Sequence, residues 1–139
     1  MLPINILAVA VSAVAAFVLG FLFHGPLFGK LWMKLAHITP TGKETFSGMV
    51  PQMLWNLFVD IITAYVLAVM YLFASTSPLL GGPGTWTAVM VAVWIWFGFL
   101  ATSSSIEVIW MGRSVKHWAF EAACSLVTMI AMGAIIGSW

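Results

Sequence analysis

The chain has 139 residues, of which 63% are hydrophobic and only 6% charged, with a formal net charge of +1. That leaves too little polar surface to cover a water-soluble globule, and it excludes the broad basic face that nucleic-acid binding requires. A single cysteine, Cys124, excludes an intramolecular disulfide, a CxxC redox pair and a cysteine-built zinc cluster.

A helix crosses the hydrocarbon core of a bilayer with about 20 apolar residues. Four stretches are long enough. The first, residues 4–23 ("INILAVAVSAVAAFVLGFLF"), has no basic segment before it and so reads as a retained span rather than a secretory signal. It is expected to stop at Gly25-Pro26. Within it Ala8, Ser12, Ala16 and Gly20 recur every four residues, a small-residue seam that lets another helix backbone approach closely, and His24 continues that line.

Next comes "LFGKLWMKLAH", residues 27–37, which sets Leu27, Phe28, Leu31, Trp32 and Leu35 on one helical face and Lys30, Lys34 and His37 on another. This is the pattern of a short helix lying in the membrane interface. The second span, residues 50–75, carries Pro51 in its first turn, where proline is tolerated. Gln52, Asn56, Asp60, Thr63 and Ala64 share one of its faces. Asp60 lies nine residues past Pro51, about 13 Å into the bilayer. Holding a carboxylate at such a depth costs roughly 2.5–3.5 kcal/mol, so it must face the bundle interior.

"TSPLLGGPG" is an uncharged turn before the third span, residues 85–111, in which Ser103 and Ser104 precede Glu107 by four and three residues and share its face. "GRSVK" links to the fourth span, residues 117–139, where Glu121, Cys124, Ser125 and Thr128 align. Gly133 and Gly137 form a GxxxG packing motif. The expected fold is an all-α, integral membrane four-helix bundle with one interfacial helix, residues 1–139 making a single transmembrane domain.

Lys30, Lys34, Lys43, Arg113 and Lys116 all fall in the two connections that share a side, which the positive-inside rule makes cytoplasmic, with both termini outside a cell (inner) membrane. Asn56, Asp60, Ser103, Ser104, Glu107, Glu121, Ser125 and His24 are the candidate lining of an intramembrane polar cluster on that side. Bland readings stand beside each. Glu107 and Glu121 near span ends can pair with Arg113 and Lys116, Asp60 can lock helix packing, His24 can cap a helix end, and serines in spans often bond back to their own helix.

No Glu-x-x-His pair, GxSxG or facing midplane histidines occur, so no catalytic residue, metal or cofactor is expected. Binding or passage of a cation or small polar solute is the leading function, and a non-catalytic accessory subunit the alternative. Either way the partners are membrane lipid and further copies of the chain or a larger membrane complex.

The elements "VLGFLFHGPLFGKLWM", residues 18–33, and "MGRSVKHWAFEAACSLVTMIAMGAIIG", residues 111–137, resemble the domain of unknown function 1761 family of small bacterial and archaeal membrane proteins. The "GPLFGKxWM" and "GRxxKxxxxEA" elements are its most specific parts. The resemblance implies a four-span membrane architecture and leaves activity open. It also implies that Gly25, Pro26, Gly29 and Lys30 serve a shared element and that Glu121 and Ala122 match the opening of the last helix, whereas Cys124-Ser125 stand where Tyr-His is expected.

Overall fold

The computed structural model describes residues 3–40 and 46–139, and Lys43 of the basic connection lies outside them. Helix α1 (Ile6–Leu22) begins at Asn5, whose side-chain oxygen accepts from the amides of Leu7 and Ala8 at 3.0 and 3.2 Å. This cap satisfies two of the donors that a helix start leaves open. At Gly25-Pro26 the regular helix ends as expected, in a kink carried within a π turn over Phe23–Leu27. Pro26 has no N–H to contribute, and Gly25 takes up the misfit with a non-helical backbone (φ −116°, ψ −105°). The chain then folds back so tightly into α2 (Gly29–Leu35) that a Cβ on Gly29 would lie 2.9 Å from the carbonyl oxygen of His24.

Three further long elements complete the bundle: α3 (Phe46–Ser75), the run α4 (Thr85–Ile95), π turn (Trp96–Ala101) and α5 (Thr102–Trp110), and finally α6 (Val115–Gly137). Four helices, Ile6–Leu27, Ser47–Ser75, Thr85–Trp110 and Val115–Gly137, are long and apolar enough to cross a membrane. Among the described residues there is no strand, and the all-α bundle expected from the spans is what forms.

Chain reversals bring both termini and the link between α3 and α4 to one end, where Ile4, Ser75, Pro83 and Trp139 surround a common cavity. Arg113 and Lys116 mark the opposite, basic end. At the α5–α6 corner the amides of Met111 and Arg113 both donate to the Glu107 carbonyl at 3.1 Å, and Gly112 supplies the left-handed φ of +67° that this closure needs.

The core is built from small side chains. Ala8, Ser12, Ala13 and Ala16 of α1 are buried against Ala64, Leu67 and Ala68 of α3 and against Met129, Met132 and Ile136 of α6. The buried Ser12 hydroxyl donates to the Met132 carbonyl at 3.5 Å. On the other side α6 meets α4 at nearly backbone contact. A Cβ on Gly137 would stand 2.6 Å from Ala88 Cβ and 2.7 Å from Thr85 Cα, and one on Gly133 would stand 2.9 Å from the Ala88 carbonyl oxygen. No such crowding exists at Gly20, where nothing lies within 4 Å of a Cβ. The large aliphatic and aromatic side chains point outward, with Leu54, Trp55, Phe99 and Trp110 among the most exposed, as suits a bundle solvated by lipid.

Because the atoms facing Gly137 are largely backbone and cannot swing aside, Gly137→Ala is expected to lower bundle stability by about 1–3 kcal/mol. Gly98→Ala, with open space at its Cβ, should stay within about 0.5 kcal/mol of the parent. Thermal melts of the detergent-solubilised variants compare them directly. Equal melting temperatures would show that the α4–α6 contact is not tight.

Candidate functional site: a polar cavity between three helices

All the buried residues of α3 among those described, Ala64, Leu67, Ala68 and Ala74, lie in its second half. Its first half, carrying the Asn56–Asp60–Thr63 stripe, therefore stands off from α1 and α6. The gap is a cavity of about 260 Å³ toward the basic end. α1 and its π turn contribute Gly20, Phe23 and His24; α3 contributes Asn56, Val59, Asp60 and Thr63. From α6 come Glu121, Cys124, Ser125, Thr128 and two methionines, Met129 and Met132, while the third span adds only Leu100. Among the described residues no lysine or arginine lines it.

Two carboxylates share this space in different circumstances. Asp60 accepts one hydrogen bond, from Asn56 Nδ2 to Oδ2 at 2.9 Å, and has no ion-pair partner among the described residues. Glu121 sits between two imidazoles: its Oε2 is 3.0 Å from His24 Nε2 and its Oε1 3.4 Å from His117 Nε2. The other ring nitrogen of His24, Nδ1, is 2.9 Å from the Gly20 carbonyl oxygen. A carbonyl only accepts, so Nδ1 carries a proton.

Two aromatic rings pack on His24, and a third backs one of them. Trp32 meets it edge-on at 5.3 Å between ring centroids, Phe120 at 6.1 Å, and Phe28 packs on Phe120 at 6.1 Å. The π turn and the fold-back through Gly29 make this possible by carrying α2 over the end of α1. Trp32 thus packs inward against the imidazole. From the third span, the Trp96 indole N–H is shared between the Ala122 carbonyl oxygen at 3.1 Å and Ser125 Oγ at 2.9 Å.

The structure thus gathers His24, Asn56, Asp60, Glu121 and Ser125 around one cavity and places Ser103, Ser104 and Glu107 elsewhere. Ser103 is exposed and bonds back to the Phe99 carbonyl. Ser104 accepts from Trp118 Nε1 at 3.0 Å, and Glu107 pairs with Arg113 at 2.5 Å. The physical reason is the π turn at Trp96–Ala101. In an unbroken α-helix at about 100° per residue, Ser103 and Glu107 would continue the face of Ala88 and Ala92. The extra residue of the π turn rotates everything after it by about 100°, and Ala101 becomes buried instead.

Among the packing candidates, Ala8, Ser12 and Ala16 lie in the core and Gly133 and Gly137 at the α4–α6 contact, whereas Gly20 lines the cavity. Trp32 and Phe120, packed on His24, and Trp96, bonded to Ser125, support the lining from behind, and the sequence does not point to them as site residues. No local signal distinguishes them from other lipid-facing aromatics. Among the described residues no group of three or more His, Cys, Asp or Glu side chains is disposed to hold a metal ion.

Fold and cavity together define an all-α, multi-pass membrane protein whose helices enclose a polar cavity. A family model described as "Protein of unknown function (DUF1761)" matches residues 7–137, and the chain belongs to that family. No curated protein and no solved structure matches it.

The two carboxylate pairs are expected to differ in coupling. A double-mutant cycle on His24→Ala and Glu121→Ala, half-shielded and inside the bundle, should give about 1–3 kcal/mol in detergent unfolding. The same cycle on Glu107→Ala and Arg113→Ala, a corner pair about 38% exposed on both sides, should give about 0.2–1 kcal/mol. Equal couplings would mean that His24 and Glu121 do not form a shielded pair.

Proposed function

We propose that this protein binds a cation or small polar solute in the cavity between α1, α3 and α6, and passes it across the membrane when the bundle opens. The observation that carries the reading is Asp60: a carboxylate facing the cavity, with one amide for a partner and, among the described residues, no lysine or arginine in the lining, whose one imidazole, His24, is engaged by Glu121. Keeping it there costs roughly 2.5–3.5 kcal/mol, which a bound cation offsets. A second cavity, also about 260 Å³, opens at the other end between the same three helices. Leu67 and Ser12, which line neither cavity, and Met132, which lines the first, are the largest fully buried side chains of the bundle, and we take them as the plug between the two. Passage requires that plug to part.

The basic connections suit a cytoplasmic setting by the positive-inside rule, which puts the Asp60 cavity toward the cytoplasm of an inner membrane and both termini outside. Four spans leave much apolar surface, so assembly with further copies of the chain completes the reading. The alternative, a non-catalytic accessory subunit, is favoured by an apolar groove of about 580 Å³ along α3 and α4, walled by Met70, Trp86, Met90 and Trp94.

Asp60→Asn keeps the shape and the hydrogen-bonding capacity while removing the charge. It is expected to assemble and melt like the parent but to lose cation-dependent stabilisation and flux in reconstituted vesicles. Flux that persists unchanged in Asp60→Asn would remove Asp60 from the pathway. Absence of binding and flux in the parent, together with a stoichiometric foreign partner on purification, would favour the accessory subunit. For orientation, in a Cys124→Ser background an impermeant thiol reagent added outside should label Ser77→Cys and miss Lys116→Cys; the reverse would invert the topology.

A further inference from the structure

Resting on the reading of the cavity as a binding site, we infer that its ligand is a monovalent cation, because only one of the two carboxylates offers it a net charge. That charge follows from the protons the pair must hold. His24 Nδ1 is fixed as a donor by the Gly20 carbonyl oxygen at 2.9 Å. Nε2, on the other side of the ring, is 3.0 Å from Glu121 Oε2. Without a proton between them two lone pairs would face each other at that distance, so one proton occupies the bond. Placed on Nε2 it makes an imidazolium beside a carboxylate; placed on Oε2 it makes a neutral imidazole beside a carboxylic acid. In both arrangements the pair sums to zero.

The remaining groups leave this count unchanged. His117 approaches the other Glu121 oxygen at 3.4 Å from outside the cavity lining and is not among the side chains that face the cavity. Cys124 enters as a thiol, and Asn56, Thr63, Ser125 and Thr128 are neutral. Asp60 alone is uncompensated among the lining residues. One negative charge in a half-enclosed, low-dielectric site balances one positive charge. A divalent ion there would leave a full charge unpaired, and calcium and magnesium sites take their affinity from the number of charged oxygen ligands.

His24 therefore acts as a selectivity residue, through Glu121. His24→Gln still donates a hydrogen bond to Glu121 but brings no exchangeable proton, so the cavity gains a second charge. The test titrates the purified protein in detergent with NaCl, KCl, MgCl₂ and CaCl₂ at matched ionic strength, reading binding by calorimetry and melting temperature.

The parent should prefer a monovalent cation, and Asp60→Asn should lose it. His24→Gln should shift preference toward the divalent ions by at least about tenfold. Glu121→Gln, whose amide donates to Nε2 and keeps the pair neutral, should retain the parent's preference and guards against a fold defect being misread. Divalent binding as tight as monovalent binding in the parent, or an unchanged preference in a folded His24→Gln, overturns the inference and leaves a cation site standing. No binding of either ion class overturns both the inference and the site. Nitrogen-15 NMR of His24 is an independent check, and an unprotonated Nδ1 would also overturn the count.

Discussion

The backbone contact between α6 and α4 is the constraint on which the other packing depends. Gly133 and Gly137 let α6 lie against Thr85 and Ala88 with only alanine methyls at the contact, in an environment where lipid gives helices no hydrophobic reason to associate and close van der Waals contact must do so. With α6 fixed there, its opposite face presents Met129, Met132 and Ile136 to α1, whose Ala and Ser residues fit beneath them. α3 then packs by its second half only. Its first half is left with a polar stripe and no close neighbour, and this mismatch is the cavity.

Much of this was legible in the sequence because lipid simplifies the code. Four apolar runs of sufficient length become four helices, and residues four apart share a face whether they are the alanines of α1 or the Asn56–Asp60 pair. What was not legible is the pair of π turns. Proline and glycine announce the kink at Gly25-Pro26, though not the π turn over Phe23–Leu27 that carries it. At Trp96–Ala101 nothing in "WFGFLA" marks an extra residue in the turn. Four-residue arithmetic carried across that point assigns Ser103 and Glu107 to a face they do not occupy. The aromatic supports are illegible for a related reason: whether Trp32 or Trp96 faces lipid or the site depends on how two helices meet.

The π turns have consequences for the site as well as for prediction. The first carries α2 back over the bundle end, so that Trp32 and Phe120, the latter backed by Phe28, confine His24. The second ends the close face of α4 and offers Trp96, whose N–H reaches across to Ala122 and Ser125. π turns recur at functional sites because they break the regular ladder where a side chain or ligand needs room. Here both lie at the level of the cavity, and the remaining described parts of the spans run as regular α-helix.

The two carboxylates of the cavity meet the cost of burial in different ways. Glu121 is hydrogen-bonded to an imidazole whose other nitrogen is itself committed, and a shared proton removes the net charge that lipid and a low dielectric penalise. Asp60 has only Asn56, a neutral donor whose bond contributes about 1.5–3 kcal/mol to a charged acceptor. That is comparable to the insertion cost and leaves the second oxygen, Oδ1, with no protein partner among the described residues. Packing alone would be served better by a second donor or by an apolar side chain of similar size, since a half-satisfied polar group is worse than none. An arrangement that provides for one acid and leaves the other open toward a cavity is the one the proposed binding role calls for: on that proposal the first acid sets the charge balance and the second is free to meet the ligand.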